Sequence, residues 1–192
     1  MSPSSVALFV VCSLSLMGCR DEIDAVDIPD RVSTGPVTVD IGGDVTRDGG
    51  NDGEVSDKVD EVWLRVDQVV VRHDRKGWVY IDDGRVNINL MAMRDGDVKR
   101  IGEGDVYVGD YDMVRLNIVD SWIVVEGTDY DLPISNGLDL SEGLDLSQAF
   151  NVAESTEAAV WVGWDLDTQL TGEGEVWELG TDINVTVDVN QP

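Results

Sequence analysis

From Val59 onward, apolar and polar residues alternate with a period of two. Val62, Leu64 and Val66 interleave with Glu61, Trp63, Arg65 and Asp67, which predicts a strand with one buried face. The apolar parity then moves to Val69 and Val71, so a bulge is expected near Asp67-Gln68. Further alternating runs fall at Trp78–Ile81, Val86–Leu90, Val106–Val108, Val114–Ile118, Ile123–Val125 and Tyr130–Leu132. Val160–Leu166, Trp177–Leu179 and Ile183–Val187 complete the series. No window after residue 18 carries a helical period, apart from one turn near Leu90–Met93. Eight to ten short strands separated by Gly/Asp turns predict an all-β domain over residues 58–189. The expected architecture is an antiparallel β-sandwich of the Ig-like or transthyretin-like Greek-key kind.

The pattern before Val59 is different. Val6–Met17 is an apolar run of signal-peptide length, too short for the roughly 20 residues a membrane-spanning helix needs. It ends in Leu16-Met17-Gly18-Cys19, which resembles the lipobox of bacterial lipoproteins. That resemblance implies lipidation of Cys19 and removal of residues 1–18. No charged side chain precedes Cys19, and Arg20-Asp21-Glu22 follow it at once. The n-region Met1–Ser5 departs from the usual pattern in lacking Lys and Arg. With no twin arginine, the general secretory route is expected. With Arg20 rather than Asp after the cysteine, the outer membrane is the preferred address in a Gram-negative cell. Cys12 lies in the leader, so a mature chain holds one cysteine and no internal disulfide.

Residues 19–57 read as a lipidated cysteine and an acidic tether, with one candidate strand at Val37–Ile41. The run Gly42–Glu54 is too rich in Gly, Asp and Asn to bury much apolar surface. An EF-hand reading of it fails on spacing. With Asp48 first, the third position is Gly50 and the twelfth Val59, where a calcium loop needs an oxygen ligand and a Glu. A tandem Leu-Asp-Leu-Ser at 138–141 and 144–147 is a local duplication, since a solenoid needs three or more units.

Charge narrows the partners. The chain holds 39 acids against 13 bases, a net charge of −26, all of it after residue 18. Nucleic acid and anionic headgroups need Lys or Arg to replace their counterions, so neither is an expected partner. The acids are 28 Asp and 11 Glu. Such a surface suits hydration in salty water, or a share of the carboxylates gathers around Ca²⁺.

Among individual residues, His73 is the only histidine, so any Ser-His-Asp chemistry or histidine zinc site would have to use it. Its neighbours Arg72, Asp74 and Arg75 mark a polar strand end, and a structural role is expected. Asp165 and Asp167 share a predicted strand face, and Asp110 and Asp112 flank a predicted turn; solvated surface acids are the expectation for all four, and Ca²⁺ ligation the alternative. A carboxylate pair of the glycosidase kind is a remote alternative, because abundant acids make any one pair uninformative. Of six tryptophans, Trp164 has core parity, whereas Trp63 and Trp161 point the other way, where packing under a second sheet is the favoured expectation and an exposed ligand platform the alternative. Tyr111 after Gly109 resembles a tyrosine corner, and Arg115 is expected to pair with an acid.

Five short motifs in order resemble the lipoprotein domain family called domain of unknown function 4382. They are Val62–His73 with Gly77-Trp78-Val79, then Asn89–Met93, then Gly109-Asp110-Tyr111 with Val114-Arg115-Leu116. Gly143–Leu146 follows, and Phe150-Asn151-Val152 with Trp164-Asp165-Leu166 closes the series. The likeness spans roughly residues 35–187. Two departures stand out: no Asp-Ala-Pro-like turn follows Ile41, and the final segment is acidic rather than basic. The family implies an exported, often lipid-anchored β-sandwich and supplies no catalytic residues. The expected function is non-enzymatic binding or scaffolding at the cell envelope, without a required cofactor. The partners expected are the membrane, through Cys19, and an unidentified protein or glycan. A carbohydrate- or Ca²⁺-dependent module is the alternative.

Overall fold

The computed structural model describes residues 33–43, 58–82, 84–93, 97–135 and 143–190. Cys12, Cys19, the leader, most of the 19–57 segment and the first Leu-Asp-Leu-Ser copy lie outside them.

Two sheets pack as a β-sandwich. One is built on two long strands, β2 (Val59–His73) and β6 (Gly109–Val125), which pair antiparallel along almost their whole length. The strands β3 (Gly77–Asp82) and β4 (Val86–Asn89) share the free edge of β2, one along each half. On the far edge of β6, β7 (Thr128–Asp131) and β8 (Leu144–Val152) do the same. The second sheet runs β12 (Asn184–Asn190), β9 (Glu157–Gly163), β1 (Thr34–Gly42), β5 (Val98–Tyr107). A two-stranded ribbon, β10 (Leu170–Glu173) with β11 (Val176–Leu179), follows the single helical turn α1 (Leu166–Gln169).

The period-two pattern has its counterpart in the core. Val62, Leu64 and Val66 of β2 are fully buried, and so are Val37, Val39 and Ile41 of β1 and Val160 and Val162 of β9. Each such side chain contributes about 1.5–3 kcal/mol of burial. The parity switch in β2 is an irregularity of register between Val66 and Gln68, where the sequence places a bulge. Trp164 is buried and its Nε1 donates to the Gly180 carbonyl at 3.0 Å. Leu90–Met93 forms a single 3-10 turn.

Three expectations change. The candidate strand at 37–41 is present within β1, but with strand partners on both edges it belongs to the sandwich and not to the tether. Its three buried apolar residues make it core rather than linker. Secondly, β1 runs parallel to β9, so the four-stranded sheet is mixed rather than wholly antiparallel. Thirdly, among the described residues eleven strands, β2–β12, follow residue 58 where eight to ten were expected, although Val114–Ile118 and Ile123–Val125 belong to one strand. A second register shift, opposite Arg65 and Val66, changes the side-chain parity in mid-strand, and a periodicity reading sees that as a break.

Candidate functional site

The outer face of the six-stranded sheet is a lattice of aromatic rings and guanidinium groups. Trp63 and Trp122, partners across β2 and β6, stack with ring centroids 5.6 Å apart and planes 8° from parallel. Arg65 lies over Trp122 at 5.2 Å and its Nη1 donates to Asp120 at 2.7 Å. The Trp63 indole N–H donates to Glu61 at 2.6 Å. Further along, Arg115 covers Trp78 at 4.3 Å and Arg72 approaches the same ring at 5.7 Å. Asp112 holds Arg72 through two hydrogen bonds of 2.8 and 2.9 Å, and Asp145 holds Arg115 in the same forked way. The guanidinium of Arg72 keeps the Asp112 carboxyl below the usual carboxylate range, chiefly by hydrogen bonding. Val70, opposite Tyr80 and Arg115 in register, is fully buried outside the central core cluster. The lattice therefore closes over part of its own sheet.

The outer face of the four-stranded sheet is built differently. Trp161 of β9 lies alongside Asp40 of β1, and Asp40 is in turn opposite Arg100 of β5. Two residues further on, the adjacent strands carry Gly163 and Gly42. The indole occupies the space where their side chains would stand. A methyl on Gly163 would collide with the six-membered ring, and one on Gly42 would come 3.1 Å from Nε1. Glycine allows that close approach at no steric cost. Arg100 is held at 3.0 Å by both Asp40 and Glu103, which push its pKa further up. Trp63 and Trp161 thus stand on opposite outer faces and form no common platform, because each projects away from the core on its own sheet.

The four Ca²⁺ candidates separate into two places. Asp110 and Asp112 sit within β6 rather than around a turn; Asp110 accepts from Asn151 at 2.8 Å, and Asp112 is committed to Arg72. Asp165 is not on a strand. It caps α1, accepting from the Asp167 amide at 3.0 Å and from the Thr168 hydroxyl at 3.1 Å. The strand reading failed there because Asp165 is a good N-cap residue, and a cap ends the alternation. Among the described residues no three His, Cys, Asp or Glu groups are placed to share one ion.

His73 is 4% exposed at the end of β2. Its ring packs edge-on to Tyr111 at 5.0 Å, and a Cβ on Gly109 would fall 2.7 Å from Nε2. Nδ1 faces the Asp74 carboxylate at 2.7 Å and the Arg75 amide at 3.0 Å. Tyr111 donates to the Tyr107 carbonyl at 2.7 Å, the tether of a tyrosine corner, and burial pushes its hydroxyl pKa up. Gly109 and Tyr111, two of the motif residues, thus serve the packing of His73. A cleft of about 450 Å³, which sequence reasoning missed, lies between the β6–β7 and β10–β11 turns. Lys58, Glu126, Tyr130, Glu173 and Trp177 line it, and Glu126 adopts a positive φ of 48°. No spacing signal brings those hairpins together, because their contact is set by the tertiary fold.

These features define an all-β sandwich whose polar side chains are organised on its sheet surfaces. The family described as "Domain of unknown function (DUF4382)" matches residues 51–177, and the chain belongs to that family. No curated protein and no solved structure matches the chain.

Proposed function

We propose that this chain is an exported protein, anchored at the cell envelope by lipid on Cys19, whose sandwich is a non-enzymatic binding domain. The observation that carries the reading is the pairing of arginine with aspartate across strands on both outer faces. Arg65–Asp120, Arg72–Asp112, Arg115–Asp145 and Arg100–Asp40 each fix a guanidinium and a carboxylate in place. Exposed pairs of this kind add only about 0–1 kcal/mol each to stability. Their larger effect is to order long side chains in advance, which lowers the entropy cost of recognition. The break in charge at Cys19 supports surface display. The outer membrane is the address the reading favours in a Gram-negative cell.

The test is expression of the full chain with an alkyne analogue of palmitate, alongside Cys19→Ser. The unsubstituted chain should be labelled and pellet with membranes, and the purified chain should be retained on isolated cell envelopes. Cys19→Ser should be unlabelled. Label that persists in Cys19→Ser, or a purified chain that no envelope retains, would contradict the reading.

A further inference from the structure

We infer that Trp161, with Asp40 on the next strand and Arg100 on the one beyond, is the stacking subsite for a neutral pyranose of a glycan chain. The inference rests on the reading of the sandwich as a binding domain and adds the ligand class and the place. Three observations lead to it.

The first is how each partly exposed indole uses its ring faces. Trp63 and Trp122 stack on each other, Arg65 takes Trp122 as well, and Trp78 lies beneath Arg72 and Arg115. Trp161 instead rests against two glycine backbones. Among the described residues no ring and no cation is stacked on it. Trp161 is half-buried, and the side of its ring that overlies Gly163 and Gly42 is spent on the sheet.

The second is what lies next to that ring. Across the strands the same rung continues as Asp40 and then Arg100, the Asp40 side chain 21% exposed and Arg100 48%. The rung over these three strands is about 10 Å long, since neighbouring strands are about 4.8 Å apart. A pyranose is amphipathic in the matching way. Its axial C–H face suits the electron-rich indole, and its equatorial hydroxyls suit a carboxylate and a fork of guanidinium donors. Arg100 is already clamped by Asp40 and Glu103, so little side-chain freedom is lost on binding.

The third is charge. At −26 overall, the chain repels polyanionic polysaccharide, and the row beside Trp161 has two acids for one base. A neutral sugar is the ligand that uses the ring without that penalty.

The experiment is calorimetric titration of the full chain in detergent with cellohexaose, xylohexaose and N-acetylated chitohexaose. Trp161→Ala, Gly163→Ala and Trp122→Ala are run beside it, with circular dichroism to confirm the fold. At least one hexasaccharide should bind, and Trp161→Ala should weaken it about tenfold or more. Gly163→Ala keeps the indole but lifts it from the sheet, so it should weaken binding several-fold, whereas Trp122→Ala should leave it unchanged. Equal binding by folded Trp161→Ala would overturn the site. Retention on isolated cell envelopes with no hexasaccharide bound at about 10 mM would overturn the sugar assignment and leave the binding reading intact. Failure of both would overturn both.

Discussion

The two outer faces of the sandwich use the same side-chain types to opposite ends. On the six-stranded sheet, arginine and tryptophan consume one another. Trp63 and Trp122 stack, Trp78 is roofed by Arg115, and aspartates fix the guanidinium groups. On the four-stranded sheet, the aromatic lies down on glycine, with Asp40 on the neighbouring strand and the arginine one strand beyond it. The first arrangement is a second layer of packing; the second leaves a ring face and a polar row side by side. Composition alone thus does not tell the two surfaces apart. What separates them is whether each ring already has a partner, and that is a property of register.

If this contrast is right, substitutions on the two faces should separate stability from binding. Trp122→Ala should have the largest effect on stability, lowering it by about 2 kcal/mol with a matching fall in Tm. It removes a stacked partner of Trp63 and the surface on which Arg65 rests. Arg115→Ala should cost about 1–2 kcal/mol in denaturant melts, because it uncovers Trp78 and Val70 and leaves Asp145 without its partner. Tyr111→Phe, inside the sandwich, should cost about 1 kcal/mol by loss of the bond to the Tyr107 carbonyl. Its pH dependence has a definite sign. Burial raises the folded pKa of Tyr111, so the stability it supplies is complete below the unfolded value near 10 and is lost as pH rises above it. The alkaline fall in Tm should therefore be shallower in Tyr111→Phe. Asp112→Asn should have the smallest effect, about 0.2–1 kcal/mol as befits an exposed pair. The folded pKa of Asp112 is lowered, so that contribution is present above about pH 4 and disappears as pH falls through the folded value. The variant and the unsubstituted chain should converge in acid.

Much of the fold was legible because period-two alternation follows directly from one-sided burial. Most strand positions, the bulge after Val66, the core place of Trp164 and the acid partner of Arg115 follow from local pattern, whereas β8 and β10 were not among the predicted runs. What was not legible depends on long-range pairing. The parallel union of β1 with β9 joins residues some 120 positions apart and leaves no mark on either strand alone. The mid-strand shift in β6 looks like a strand end in one dimension. At the candidate site, parity identified Trp161 as outward-facing, but parity could not show Gly42 beneath it or Asp40 beside it. Parity also could not show that Trp63, with the same outward direction, is already occupied by Trp122.

The contrast between the faces can be read in one titration. The six tryptophans of the chain can be labelled as 5-fluorotryptophan and their ¹⁹F resonances assigned by single substitutions. On addition of the three neutral hexasaccharides, the Trp161 resonance should move, and those of Trp63, Trp78 and Trp122 should stay in place. Movement of the Trp63 or Trp122 resonance with Trp161 unmoved would contradict the account.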